Sequence, residues 1–152
     1  MTDTTQFSKT VQQWMDTFMH RSMRGWSQFV KSTGLSMPQF SILMQLYHKG
    51  PCGMSELSEG FGISPAAASQ LVDKLVHADL IARTEDPTDR RAKQVALTPH
   101  GKQLIEQGIA ERYRWMKNLE TVLSDSEKNK ISEALEILIR AVEPLEMPSA
   151  HK

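Results

Sequence analysis

The stretch Asp86-Pro87-Thr88-Asp89-Arg90-Arg91-Ala92-Lys93, running on into Val95-Ala96-Leu97-Thr98-Pro99-His100-Gly101, decides the fold of this chain. A charged turn containing proline, Glu85 to Arg91, separates two short runs, Leu80-Ile81-Ala82-Arg83 and Gln94-Val95-Ala96-Leu97. Their apolar or alternating character is that of strands, so the spacing predicts a β-hairpin over about residues 80–98 with a basic tip too polar to be core. Thr98-Pro99 then reads as the N-cap and first position of a helix.

Immediately upstream, Met54 to Gly60 reads as a short helix with Leu57 and Phe61 facing inward, broken by Gly62-Ile63. Ser64-Pro65 restarts a helix with a capping serine and an N-terminal proline. Ala68, Leu71, Val72 and Leu75 form its inner face as far as His77. A short helix, a tight glycine turn and a second helix of several turns have the spacing of a helix-turn-helix, over about residues 54–78. Further out, Ser36-Met37-Pro38 starts a helix over Met37 to Lys49 that Gly50-Pro51 stops. The segment from about Ser8 to Lys31 repeats apolar residues at helical spacing, among them Trp14, Met15, Phe18, Met19, Met23 and Trp26. Downstream, Leu104 to Leu123 reads as one long helix. Ser124 and Glu127 then form a capping box that opens a last helix carrying Ile131, Leu135, Leu138, Ile139 and Val142, which Pro144 ends.

Composition narrows the class. The chain has 152 residues, 18 Lys+Arg against 18 Asp+Glu, five His and one Cys. One cysteine forms no internal disulfide and no cysteine-rich metal site, and no apolar run approaches a membrane span, so a soluble cytoplasmic protein is expected. Neither a metal nor another cofactor is expected: the histidines form no metal-binding motif. An enzyme is not expected either, because no nucleophile is paired with a base and no glycine-rich phosphate loop is present. A net charge of zero counts against bulk electrostatic binding of nucleic acid. Nor does the sum hide a basic DNA face, since residues 50–79 carry Glu56, Glu59, Asp73 and Asp79 against Lys74 alone.

Helix, helix, helix-turn-helix, hairpin and long terminal helices, in this order, resemble the MarR family of winged-helix transcription regulators. The most specific part is the wing, a D-x-x-D-R-R turn running into L-T-x-x-G, placed after Ser64-Pro65-Ala66-Ala67-Ala68-Ser69-Gln70-Leu71-Val72-Asp73-Lys74-Leu75. Two positions depart from the family's usual pattern. Asp79 stands where glycine is usual, and Asp tolerates a left-handed conformation better than most residues. Gln70 stands where many relatives carry arginine. The implied fold is mainly α with a small β-hairpin wing: an N-terminal dimerisation helix (1–35), a winged helix-turn-helix domain (36–100) and long C-terminal helices completing the dimer region (101–152).

The resemblance implies a sequence-specific regulator, a dimeric repressor on a pseudo-palindromic DNA operator relieved by a small phenolic or anionic ligand. On the recognition helix, Ser64 caps the N-terminus and leaves amides for phosphate, while Pro65, Ala66, Ser69 and Gln70 form an acid-free face that can approach base edges. Lys74 is placed for backbone phosphate. By resemblance, Arg90 or Arg91 of the wing enters the minor groove, Asp89 pairs with a neighbouring arginine to hold the tip, and Lys93, with Arg83, adds charge beside it. The surplus apolar faces of the terminal helices imply a homodimer. Trp14, Met15, Met19, Met23 and Trp26 either pack or line an effector cleft. Cys52, in the Gly50-Pro51-Cys52-Gly53 loop, is either a plain free thiol or a redox sensor. A winged helix kept as a protein-interaction module, without specific DNA binding, is the competing function.

Overall fold

The computed structural model describes residues 4–89 and 93–145. In chain order the elements are α1 (Thr4–Thr33), α2 (Met37–Lys49), β1 (Cys52–Gly53), α3 (Met54–Phe61), α4 (Pro65–His77), β2 (Ile81–Glu85), β3 (Lys93–Leu97), α5 (Pro99–Tyr113), a 3-10 turn (Arg114–Met116), α6 (Lys117–Val122) and α7 (Asp125–Val142). This is the expected class, mainly α with a small sheet. Two compact units divide the chain, residues 1–114 and 115–152.

Local chemistry sets the helix starts. Ser36, Ser64 and Thr98 each sit in extended backbone, and each side chain accepts the amide of the residue three further on, with proline in the first turn beyond. Each cap satisfies one of the amides that a helix start leaves without an intrahelical partner. The sheet is antiparallel in the order β1-β3-β2, with β3 paired in register from Ile81↔Leu97 to Glu85↔Lys93 on one side. On its other edge, Cys52 faces Val95 and Gly53 faces Gln94. That third strand is absent from the sequence reading, because two residues carry no periodicity to read.

A single core holds the first unit together. Phe40, Ile42 and Leu43 of α2, Leu57 of α3, Val72 and Leu75 of α4, Ile81 and Val95 of the sheet, and Ile105 of α5 are all buried within it. Each such side chain contributes about 1.5–3 kcal/mol by leaving water. Trp26 and Val30 of α1 belong to the same core. Packing therefore does not divide at residues 35 and 100: α1 and α5 are part of the unit that carries the winged helix. The two helices lie close because glycines face the contact. A Cβ on Gly25 would meet the Glu111 carbonyl oxygen at 2.7 Å, and one on Gly108 would stand 2.9 Å from the rings of Trp26 and Phe29.

The long helix expected through Leu123 is interrupted. Its hydrogen bonding tightens to a 3-10 turn at Arg114–Met116 before α6 resumes, a shift invisible to apolar periodicity, and the first unit ends there. In the second unit, α7 starts at the expected capping box. None of its residues is buried, and Ile131, Leu135, Ile139 and Val142 are exposed. No helix among the described residues is long and apolar enough to cross a membrane.

Candidate nucleic-acid interface

Helix α4 is held from below by Ala68, Val72 and Leu75, each fully buried, which turns the opposite face outward. On that face Pro65, Ala66, Gln70, Asp73 and Lys74 are exposed, and Ser69 is half-buried at its edge. Ser64 is exposed at the cap and its hydroxyl oxygen accepts the Ala67 amide at 3.2 Å, so its side chain is committed to capping. The first two turns thus present small and amide side chains with no acid among them, a surface that admits base edges.

The first acid on that face is Asp73, and it does not stand alone. The Arg83 guanidinium on β2 donates to its carboxylate, tying the recognition helix to the wing. Both side chains are well exposed, so the pair adds little to stability. The negative charge of the helix-turn-helix is partly answered by this pair. Arg83 is thus engaged on the α4 side of the wing in the free protein. A basic residue ten positions beyond an acid on the neighbouring helix carried no periodic signal.

On the wing, Lys93 is exposed at the start of β3 opposite Glu85. Arg90 and Arg91 lie outside the described residues. So does the arginine expected to pair with Asp89, which is itself exposed at the end of the described arm. The turn is organised by Asp86, a residue the sequence reading did not single out. Its carboxylate accepts the Thr88 hydroxyl at 2.7 Å and the Thr88 amide at 2.8 Å. These bonds, the hydroxyl first, hold the Asp86 carboxyl below the usual carboxylate range. Asp-Pro-Thr was the available signal, an Asx-type turn in which the acid bonds the backbone two residues on.

Behind the interface, the end of α4 is closed by a Schellman motif. The Leu80 amide donates to the Leu75 carbonyl and the Asp79 amide to the Val76 carbonyl, both at 3.0 Å. Asp79 takes φ of +57°, the one non-glycine residue with positive φ among those described. This is the left-handed position at which the family usually has glycine, and Asp fills it as expected.

The remaining expected residues fall in two places. Trp14, Met15, Met19 and Met23 are exposed on α1. Trp26 is a core residue, edge-on to Phe40 at 4.8 Å with the Arg112 guanidinium 5.8 Å from its ring. A cavity of about 390 Å³ between the end of α1, the turn after α4 and the start of α5 is floored by Phe29, Leu35, Leu80 and Leu104, and none of those five α1 residues lines it. Cys52 is a free thiol buried on strand β1. Burial, then the Glu56 charge, pushes its thiol upward against the opposing pull of Lys49, which keeps it protonated and poorly reactive.

The MarR family profile matches residues 35–93, the span from the start of α2 to the wing. A transcriptional regulator of Bacillus subtilis, YfiV, is 32% identical over 109 residues, covering 72% of this chain and 68% of its own length. The chain belongs to the MarR family. Another B. subtilis protein of the helix-turn-helix type, YxaD, is 30% identical over 128 residues, 84% of this chain and 89% of its own. Among solved structures, the transcriptional regulator Tm0710 of Thermotoga maritima superposes with a TM-score of 0.75 at 26% identity, over 91% of this chain and 95% of its own. MepR of Staphylococcus aureus, solved bound to an oligodeoxyribonucleotide, shares the fold with a TM-score of 0.66 at 19% identity, over 88% of this chain and 98% of its own. MarR-family proteins are transcription regulators and not enzymes.

Proposed function

We propose that this MarR-family chain is a cytoplasmic, dimeric repressor that reads a pseudo-palindromic operator and is released by a small aromatic ligand. The observation that carries the DNA reading is the exposed face of Pro65, Ala66 and Gln70, free of acid and framed by the wing. Gln70 is the base-reading residue, with adenine its natural partner, and Ala66 or Pro65 touches a thymine methyl. Lys74 and Lys93 take backbone phosphates, and Arg90 or Arg91 enters the minor groove.

Dimerisation is supported by α7, an 18-residue helix with no buried residue. Helices in proteins draw most of their stability from packing an apolar face, and Ile131, Leu135 and Val142 supply one that a second copy would cover. Repression is supported by MdtR of B. subtilis, a transcriptional repressor 28% identical over 114 residues. Release by a ligand is supported by the fold shared with MepR, solved bound to ethidium. Trp14, Met15, Met19 and Met23 offer the adaptable aromatic and thioether surface for it.

A gel shift on the DNA upstream of the protein's own gene tests this reading. A discrete complex is expected for the parent, weakened by Gln70→Ala at particular sites only. Arg90→Ala and Arg91→Ala should weaken binding across sequences and flatten its salt dependence by about one counterion each. Phenolic and anionic aromatics added to the complex should release it. Arginine variants that bind like the parent would remove the wing from the interface, and no shift at all would favour the protein-interaction module.

A further inference from the structure

The hydroxyl of Thr98 lies where three elements meet. Strand β3 ends at Leu97 and α5 begins at Pro99, so Thr98 is the single residue between the wing and that helix. Its oxygen accepts the Gly101 amide at 3.0 Å, which caps α5. The same hydroxyl donates to the Asp79 carbonyl at 2.6 Å, and the Thr98 amide donates to the Leu80 carbonyl at 3.1 Å. Asp79 and Leu80 are the two residues that close the recognition helix. Gly101 completes the joint, since a Cβ there would stand 2.0 Å from the Leu80 carbonyl oxygen. Helix α5 is fixed in turn against α1 at Gly108. The end of α4, the base of the wing and the start of α5 therefore share one hydrogen-bonded node.

A helix that reads bases at its N-terminus needs its angle set at its far end. Over α4 (Pro65–His77) an error of a few degrees at the C-terminal turn is carried to Ser64 at full lever arm and to Gln70, near mid-helix, at about half of it, and base contacts tolerate less displacement than phosphate contacts do. Buried Ala68, Val72 and Leu75 resist sliding of α4. A directional bond at its end resists tilting. We infer that Thr98 is a positioning residue for DNA reading: its bond to the Asp79 carbonyl, and not its cap on α5, holds the recognition helix at the angle the operator requires. The inference rests on the DNA reading proposed above.

The two jobs of the hydroxyl separate by substitution. Thr98→Ser keeps the donor and the acceptor. Thr98→Asp keeps an acceptor good enough to cap α5 and loses the donor, and Thr98→Val loses both. Each variant is titrated against a duplex selected from a random pool by the parent and against a random duplex of equal length, alongside thermal unfolding. The ratio of the two affinities cancels the uniform effect of the added charge. Stability should order the variants with Ser and Asp near the parent and Val below. The affinity ratio should order them differently, with Ser at the parental value and both Asp and Val about three- to tenfold lower, the scale of one lost hydrogen bond. An Asp variant with the parental ratio overturns the positioning role and leaves Thr98 a cap. A ratio that falls only in Val overturns it too, since it would then follow capping. A parent that shows no preference for its selected duplex would sink the DNA reading, and the positioning role with it.

Discussion

At the scale of single residues, the motif Leu97-Thr98-Pro99-His100-Gly101 has a physical reading at each fixed position. Leu97 pairs with Ile81 across the sheet, Thr98 caps α5, and Gly101 leaves room for the Leu80 carbonyl. The glycine makes a discriminating case. Helix propensity alone predicts that Gly101→Ala gains about 1 kcal/mol. The 2.0 Å approach of the added Cβ to the Leu80 oxygen predicts the opposite sign, a loss of about 3 kcal/mol through overpacking against backbone. Chemical denaturation decides between them, and a stabilised alanine variant would mean the end of α4 does not press on α5. Residues whose chemistry is local, such as the capping serines and Asp79, were legible in the sequence. The Arg83–Asp73 tie and the Thr98 bond to Asp79 were not, because each joins residues whose nearness only the fold creates.

At the scale of elements, the caps and prolines placed α2 and α4 where they are found, and the wing's two strands differ from the reading by a residue or two at their ends. The misses share a cause. Strand β1 is too short to show a pattern, and the 3-10 turn after α5 changes hydrogen bonding without changing the spacing of apolar residues. Helix α7 gives the pH-dependent prediction. The Glu127 carboxylate accepts the Ser124 hydroxyl at 2.6 Å and the Ser124 amide at 2.9 Å, and these bonds, the hydroxyl first, hold its carboxyl below the ordinary 4.5. A folded-state value below the unfolded one means the stabilisation is fully present above 4.5 and is lost as pH falls through the lowered value. The Ser124 amide resonance should therefore titrate below 4.5, and Glu127→Gln, which keeps an acceptor without the charge, should abolish the step. A parental midpoint at or above 4.5 would remove the capping box from the account.

At the scale of the whole molecule, a chain with 18 cations and 18 anions has to recognise DNA without a general attraction to it. The structure narrows where the answer lies. Helix α4 keeps its first two turns free of acid, its one exposed acid at Asp73 is bound by Arg83, and Lys74 and Lys93 stand exposed on the helix and the wing. In the proposed dimer this set is doubled, with two copies at the spacing of successive major grooves. Binding by geometry and a few charges, instead of by net charge, is measured by a competition titration. The protein is bound to a duplex it has selected from a random pool and challenged with random duplex at moderate salt. Two protomers per selected duplex are expected, with a preference that survives about a hundredfold excess or more of random DNA, within the range of specific binders. Random DNA that competes nearly as well as the selected site, or one protomer per duplex, would contradict it.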